Sequence, residues 1–148
     1  MDLRIVDFGI FGSSSGINPE KVQAGSLKYM SPELLTGHTE SSPAIDVWSL
    51  GIILHGLVLG TVPFRSSNRD ELKKMIIEHD VKLTSEHVKL SMPCKDLIRK
   101  MLCKDPLKRI PVSEIMMHPW IAKYKEKKHR LDWGYSESES DENIAIEI

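Results

Sequence analysis

The stretch DVWSLGIILHGLVLGTVPF, residues 46–64, decides the fold. From residue 44 to residue 60, apolar side chains fall on nearly every helical face, a pattern that in water requires burial on all sides. The helix gives way at Gly60-Thr61-Val62-Pro63-Phe64, where a glycine and a proline supply the stop. Its most apolar part, Ile45 to Leu59, is interrupted by Asp46, Ser49, Gly51, His55 and Gly56. At about fifteen residues it is also too short to span a bilayer comfortably, so the reading is a core helix and no membrane partner. Asp46 stands at its head. A carboxylate there must satisfy its charge with backbone or side-chain donors, or else Ser42 or Asp46 serves the helix dipole as an N-terminal cap.

Outward from this helix the elements follow in order. Toward the N-terminus, Ser31-Pro32-Glu33-Leu34-Leu35 opens a short helix that stops at Gly37. Residues 10–28 carry Gly12, Ser13, Ser14, Ser15, Gly16, Asn18, Pro19 and Gly25 without a sustained period, and read as a long loop of the kind that is usually functional or disordered. Before it, Leu3 to Val6 is a short strand running into Asp7-Phe8-Gly9. A carboxylate on such a turn suits a hard Mg²⁺ bridging two phosphates, and Gly9 permits the sharp turn; a turn-capping aspartate is the plain alternative. Toward the C-terminus, Ser67 or Asn68 caps a helix through Ile77 with Leu72, Met75 and Ile76 on one face. A second stripe, Leu97, Ile98, Met101 and Leu102, ends at Asp105-Pro106. A third, Val112, Ile115 and Met116, ends at His118-Pro119-Trp120. The fold class is mainly α.

Composition narrows the function classes. Hydrophobic residues make up 41% and charged residues 28%, ordinary for a soluble globular domain, and the formal charge of −1 offers nothing to attract nucleic acid or an anionic membrane. Cys94 and Cys103 lie in a segment read as one helix, roughly 13 Å apart on opposite faces, so free thiols and a reducing, cytoplasmic compartment are expected. MDLRIVD lacks a basic leader and apolar run, so no signal peptide is expected. The six histidines show no metal-ligand spacing. Residues 123–148 change character. Lys123, Lys125, Lys127, Lys128 and Arg130 face only Glu126, and then Glu137, Glu139, Asp141, Glu142 and Glu147 occur with no base. This charged tail reads as disordered and solvated, with a regulatory segment folding back on the domain as the alternative.

Taken in order, Asp7-Phe8-Gly9, AGSLKYMSPELL (24–35), DVWSLGIILHGLVLGTVPF (46–64), DLIRKMLCKDPLKRI (96–110) and HPWI (118–121) strongly resemble the protein kinase family over residues 3 to about 122. The matched part is the second half of the C-terminal lobe. Its wording is similar to Ser/Thr kinases of the calcium/calmodulin-dependent and AMP-activated type. The resemblance implies a partial kinase domain over 1–122, followed by the tail at 123–148. It implies ATP and Mg²⁺ as cofactors, with Asp7 ligating the ion and Phe8 packing beneath to set the active or inactive position. It makes residues 10–30 the activation loop and places Gly25 and Ser26 on the substrate-facing strip. It makes Ser31-Pro32-Glu33 the counterpart of Ala-Pro-Glu, pairs Glu33 with Arg109, assigns Asp46 to hold the catalytic-loop backbone, and gives Trp48 a structural role.

The departures matter as much. In the family, the glycine-rich loop, the ATP-binding lysine with its glutamate, and the His-Arg-Asp…Asn loop all precede Asp-Phe-Gly, and none fits into Met1 to Val6. The 148 residues by themselves are therefore expected to be inactive, with an N-terminal portion of the kinase domain as a missing partner beside the protein substrate. Pro19-Glu20-Lys21-Val22-Gln23 lacks a hydroxyl where many relatives are phosphorylated, leaving charge from Glu20, or modification of Ser13, Ser14 or Ser15, as substitutes. In the tail, Ser136, Ser138 and Ser140 alternate with acids and form candidate phosphosites. The expected function is a portion of a Ser/Thr protein kinase; the alternative is a non-catalytic interaction module derived from one.

Overall fold

The computed structural model describes residues 24–38, 42–84 and 89–123. The strand at Leu3 to Val6, Asp7-Phe8-Gly9, the serines at 13–15 and the tail serines lie outside the described residues. Among the described residues the helices run in the order α1 (Ala24–Leu27), α2 (Pro32–Leu35), α3 (Pro43–Leu59), α4 (Arg69–Glu78), α5 (Met92–Met101) and α6 (Val112–Ile115). Residues 119–123 are again helical.

Side chains at the helix ends explain most of these limits. The Ser42 hydroxyl accepts from the Ala44 N–H at 3.3 Å, and Pro43 takes the first position of α3, where its missing N–H costs nothing. Gly60 closes α3 in the left-handed region at φ 72°, its N–H donating to the Gly56 carbonyl at 2.9 Å. Asn68 caps α4 by accepting from the Asp70 and Glu71 amides at 2.9 and 3.0 Å. Ser91 caps α5 through the Cys94 amide.

α3 is the spine. Val47, Trp48, Gly51, Ile52, His55 and Val58 are buried along one side, and α5 packs there with Cys94, Leu97, Ile98 and Met101. The approach is close: a Cβ on Gly51 would lie 2.8 Å from Leu102 Cδ2 and 3.0 Å from Met101 Cβ. Trp48, Ile52, Phe64, Leu72, Ile76, Ile98 and Leu102 form the main core, and Val47, Leu97, Met101 and Ile110 a smaller one. His55 fastens the C-terminal end of α3, with Nδ1 2.6 Å from the Thr61 carbonyl oxygen and Nε2 3.0 Å from that of Lys82.

Four expectations need correction. Burial of α3 on all sides does not occur among the described residues: Leu50, Ile53 and Leu57 are 50%, 45% and 76% exposed, because α5 and α4 cover only the opposite side. Residues 24–27 of the expected loop are helical, pinned by buried Leu27 and by turn bonds from Tyr29 N–H to Ser26 and Met30 N–H to Leu27. The third stripe is not a core stripe, since α6 is a single turn that leaves Val112 and Met116 half exposed. Cys103 lies beyond the end of α5, not within it, and both cysteines are free thiols.

Candidate functional site

The densest polar arrangement among the described residues sits under α2. Pro32 starts that helix and puts Glu33 in its first turn; the chain after α5 turns at Asp105-Pro106 and delivers Arg109 from the opposite side. Arg109 Nη1 donates to Glu33 Oε1 at 2.6 Å and Nη2 to Oε2 at 2.8 Å, a two-pronged ion pair between residues 76 apart in sequence. The Arg109 side chain is fully enclosed and that of Glu33 is 11% exposed. The remaining guanidinium protons are also used. Nη1 donates to the Ala44 carbonyl at 2.7 Å and Nε to the Cys103 carbonyl at 2.9 Å. One arginine thus ties α2, the head of α3 and the turn after α5 together.

The electrostatics follow from this geometry. Burial alone would raise the Glu33 carboxyl, but hydrogen bonds and charge from Arg109, with its own backbone amide, outweigh that and hold it below its ordinary 4.5. The Ser31 hydroxyl adds a weaker pull without reaching hydrogen-bond geometry.

Trp48 is fully buried beneath the pair and stacks parallel to Phe64, ring centroids 6.1 Å apart. Two cations share its indole face region: Arg109 Cζ at 5.2 Å and Lys104 Nζ at 5.0 Å from the centroid. Lys104 also stands 4.3 Å from the Phe64 centroid and donates to the Ile76 carbonyl. A cavity of about 500 Å³ opens alongside, lined in part by Glu33, Thr36, Ser42 and Lys104.

The structure brings Glu33, Arg109 and Trp48 together. Asp46 it leaves exposed in the first turn of α3, with Ser42 as the cap. Asp46, Leu50, Ile53 and Leu57 fall within about 60° of one another around the helix, so a carboxylate and three exposed apolar side chains form one uncovered stripe. Gly25 and Ser26 lie inside α1, away from this stripe in sequence. Two features escaped the sequence reading. His118 is buried with Nε2 3.0 Å from Asp96 Oδ2, and it accepts from the Trp120 amide at Nδ1. Lys100 and then His118 lower the Asp96 carboxyl. Lys104 is the other, and neither its spacing nor its neighbours in sequence mark it. Among the described residues no group of His, Cys, Asp and Glu could hold a metal, and no helix is long and apolar enough to cross a membrane.

Comparison with known proteins adds an independent line. The family described as protein kinase domain matches residues 1–121. The human SNF-related serine/threonine-protein kinase is 44% identical over 122 residues, covering 80% of this chain and 15% of that protein. Protein kinase kin1 of Schizosaccharomyces pombe is 38% identical over 125 residues, 84% of this chain and 14% of that protein. The chicken serine/threonine-protein kinase SIK2 is 31% identical over 144 residues, 97% of this chain and 18% of that protein. The chain thus spans less than a fifth of each of these relatives.

Proposed function

The chain belongs to the protein kinase domain family, and we propose from that membership that it supplies the activation segment and lower-lobe helices of a Ser/Thr protein kinase. The reaction is transfer of the γ-phosphoryl group of ATP to serine or threonine hydroxyls of a protein substrate. ATP and Mg²⁺ enter through the family, and Asp7 is the residue that would hold the ion. The described residues contribute scaffold: the Glu33–Arg109 pair fixes the end of the activation segment against α3. Ser26, one helix earlier, is the residue that would face the substrate.

The observation that carries this reading is the uncovered stripe of α3. Leu50, Ile53 and Leu57 would not stay exposed on a helix this apolar without an occupant, and Asp46 sits on the same line. A further portion of a kinase domain fits, its apolar side chains covering Leu50, Ile53 and Leu57 and its loop amides donating to Asp46. Residues 1–122 are then the domain part and 123–148 a tail, and two free thiols suit the cytoplasm.

The test uses the native protein that carries these residues, incubated with radiolabelled ATP, Mg²⁺ and a peptide mixture. Label is expected on serine and threonine, abolished by Asp7→Ala and strongly reduced by Asp46→Ala. Label that survives Asp7→Ala overturns the reading; substrate capture without any transfer favours a non-catalytic interaction module.

A further inference from the structure

A second cavity, of about 240 Å³, opens at the C-terminal end of α3. Its polar lining comes from His55, Thr61, Arg65, Lys82 and Thr84, and no carboxylate lines it among the described residues. His55, only 2% exposed, sets its shape: Nδ1 lies 2.6 Å from the Thr61 carbonyl oxygen and Nε2 3.0 Å from that of Lys82. One buried ring thus pins the backbone of two lining residues that are far apart in sequence. Both partners are acceptors, so both bonds form together only when each ring nitrogen carries a proton, a form that a nearby anion favours.

The donors at this cavity are unspent. Arg65 and Lys82 are exposed, and their side chains make no ion pair or hydrogen bond among the described residues, whereas Lys74, Lys100 and Lys108 each meet a carboxylate. The Thr84 hydroxyl makes no hydrogen bond among the described residues, and that of Thr61 makes only a long one, 3.4 Å, to the Val62 carbonyl. Two unpaired cations and two hydroxyls around one small space repel a cation and suit an anion with several acceptor oxygens.

We propose that this cavity is a phosphoserine-binding site for an acidic peptide segment. A phosphoserine brings about −1.5 to −2 charge and three acceptor oxygens, which Arg65, Lys82 and the two hydroxyls can share. The volume is below the roughly 300 Å³ at which small-molecule pockets begin, so a phosphate group on its side chain fits and a nucleotide does not. The chain carries such a segment itself, with Ser136, Ser138 and Ser140 alternating with acids. Fifteen residues separate Ser138 from Lys123, a reach of up to about 50 Å, against a radius of gyration of about 14 Å for a domain of this size. The occupant is therefore a phosphoserine of this tail or of a separate protein, and its binding stands apart from the phosphoryl-transfer reading.

The test is fluorescence anisotropy of a labelled peptide with the sequence of residues 134–142, phosphorylated at Ser138, titrated with the dephosphorylated full chain. It should bind at least about tenfold tighter than the unphosphorylated peptide, the least that a hydrogen bond to a charged group contributes. Arg65→Ala with Lys82→Ala should remove that advantage without moving the urea midpoint, and Arg65→Lys, which keeps the charge but not the fork, should retain part of it. Replacing Lys125, Lys127 and Lys128 by alanine should leave it unchanged. The chain phosphorylated on its own tail distinguishes the sources: peptide binding is lost if the tail fills the cavity and kept if a separate protein does. Equal affinity for the two peptides, or an advantage lost only with the lysines at 125–128, overturns the proposal.

Discussion

Arg109→Ala is the substitution that probes the site most directly. It removes both prongs to Glu33, at 2.6 and 2.8 Å, and the bonds to the Ala44 and Cys103 carbonyls. Glu33 would be left as a carboxylate only 11% exposed and stripped of its ion-pair partner. Stranding one member of a buried pair costs about 3–5 kcal/mol, and each orphaned carbonyl adds to that. Whole domains are stable by only about 5–15 kcal/mol, so the variant should unfold at a far lower urea concentration or fail to accumulate as a monomer. Arg109→Lys keeps the charge but not the planar fork, and should fall between wild type and alanine. Because Glu33→Ala and Arg109→Ala remove the same interaction, the double variant should cost clearly less than the sum of the two.

The same pair sets an acid limit. The Glu33 carboxyl is depressed in the folded chain, so its contribution is complete above its ordinary value of 4.5 and is lost as pH falls through the folded value. Urea titrations below about pH 4.5 should therefore show a steeper loss in wild type than in Arg109→Ala. If Arg109→Ala shifts stability by no more than about 0.5 kcal/mol, as at an ordinary surface arginine, the pairing argument fails.

Three other outcomes are expected. Gly51→Ala places a Cβ 2.8 Å from Leu102 Cδ2 and should force α3 from α5 at a cost of about 1–3 kcal/mol, read by thermal unfolding; an unchanged midpoint contradicts the close approach. Asn68→Ala strips the cap from α4 and should cost about 1 kcal/mol, while Asn68→Asp should cost little. In the tail, Ser136 has Glu139 and Ser138 has Asp141 three residues on, the offset that acid-directed kinases read. Intact mass of the native protein should show phosphate there, each group adding about −1.5 to −2 charge opposite the basic run at 123–130; an unmodified tail counts against it.

Helix limits were legible wherever one residue decides them. Pro32 starts α2, Ser42 caps α3, Gly37 and Gly60 end their helices, and Asn68 caps α4, because each acts through its own backbone or its nearest amides. The residues at 24–27 were not legible as helix. Their turn depends on Leu27 reaching the core, and nothing in Ala-Gly-Ser-Leu announces it. Glu33 and Arg109 were paired by resemblance to a known motif, since no periodicity connects residues so far apart in sequence.

α3 shows where the limit lies. Its sequence is apolar nearly all round, and that correctly implies a central helix, yet it says nothing of which neighbour covers which face. Val47, Trp48, Ile52, His55 and Val58 find α5, α4 and the loops around them; Leu50, Ile53 and Leu57 find nothing among the described residues. The exposed set is no less apolar than the buried one, so only tertiary contacts separate them. The exposed set is aligned with Asp46, and a stripe that pairs one carboxylate with three large apolar side chains is costly to leave in water but well suited to a partner segment that brings both side chains and amides. Lys104 follows the same logic at a single atom. Burial against Phe64, Trp48 and α4, all distant in sequence, pulls its amine down, so its altered acidity belongs to the assembled core and disappears when the core does.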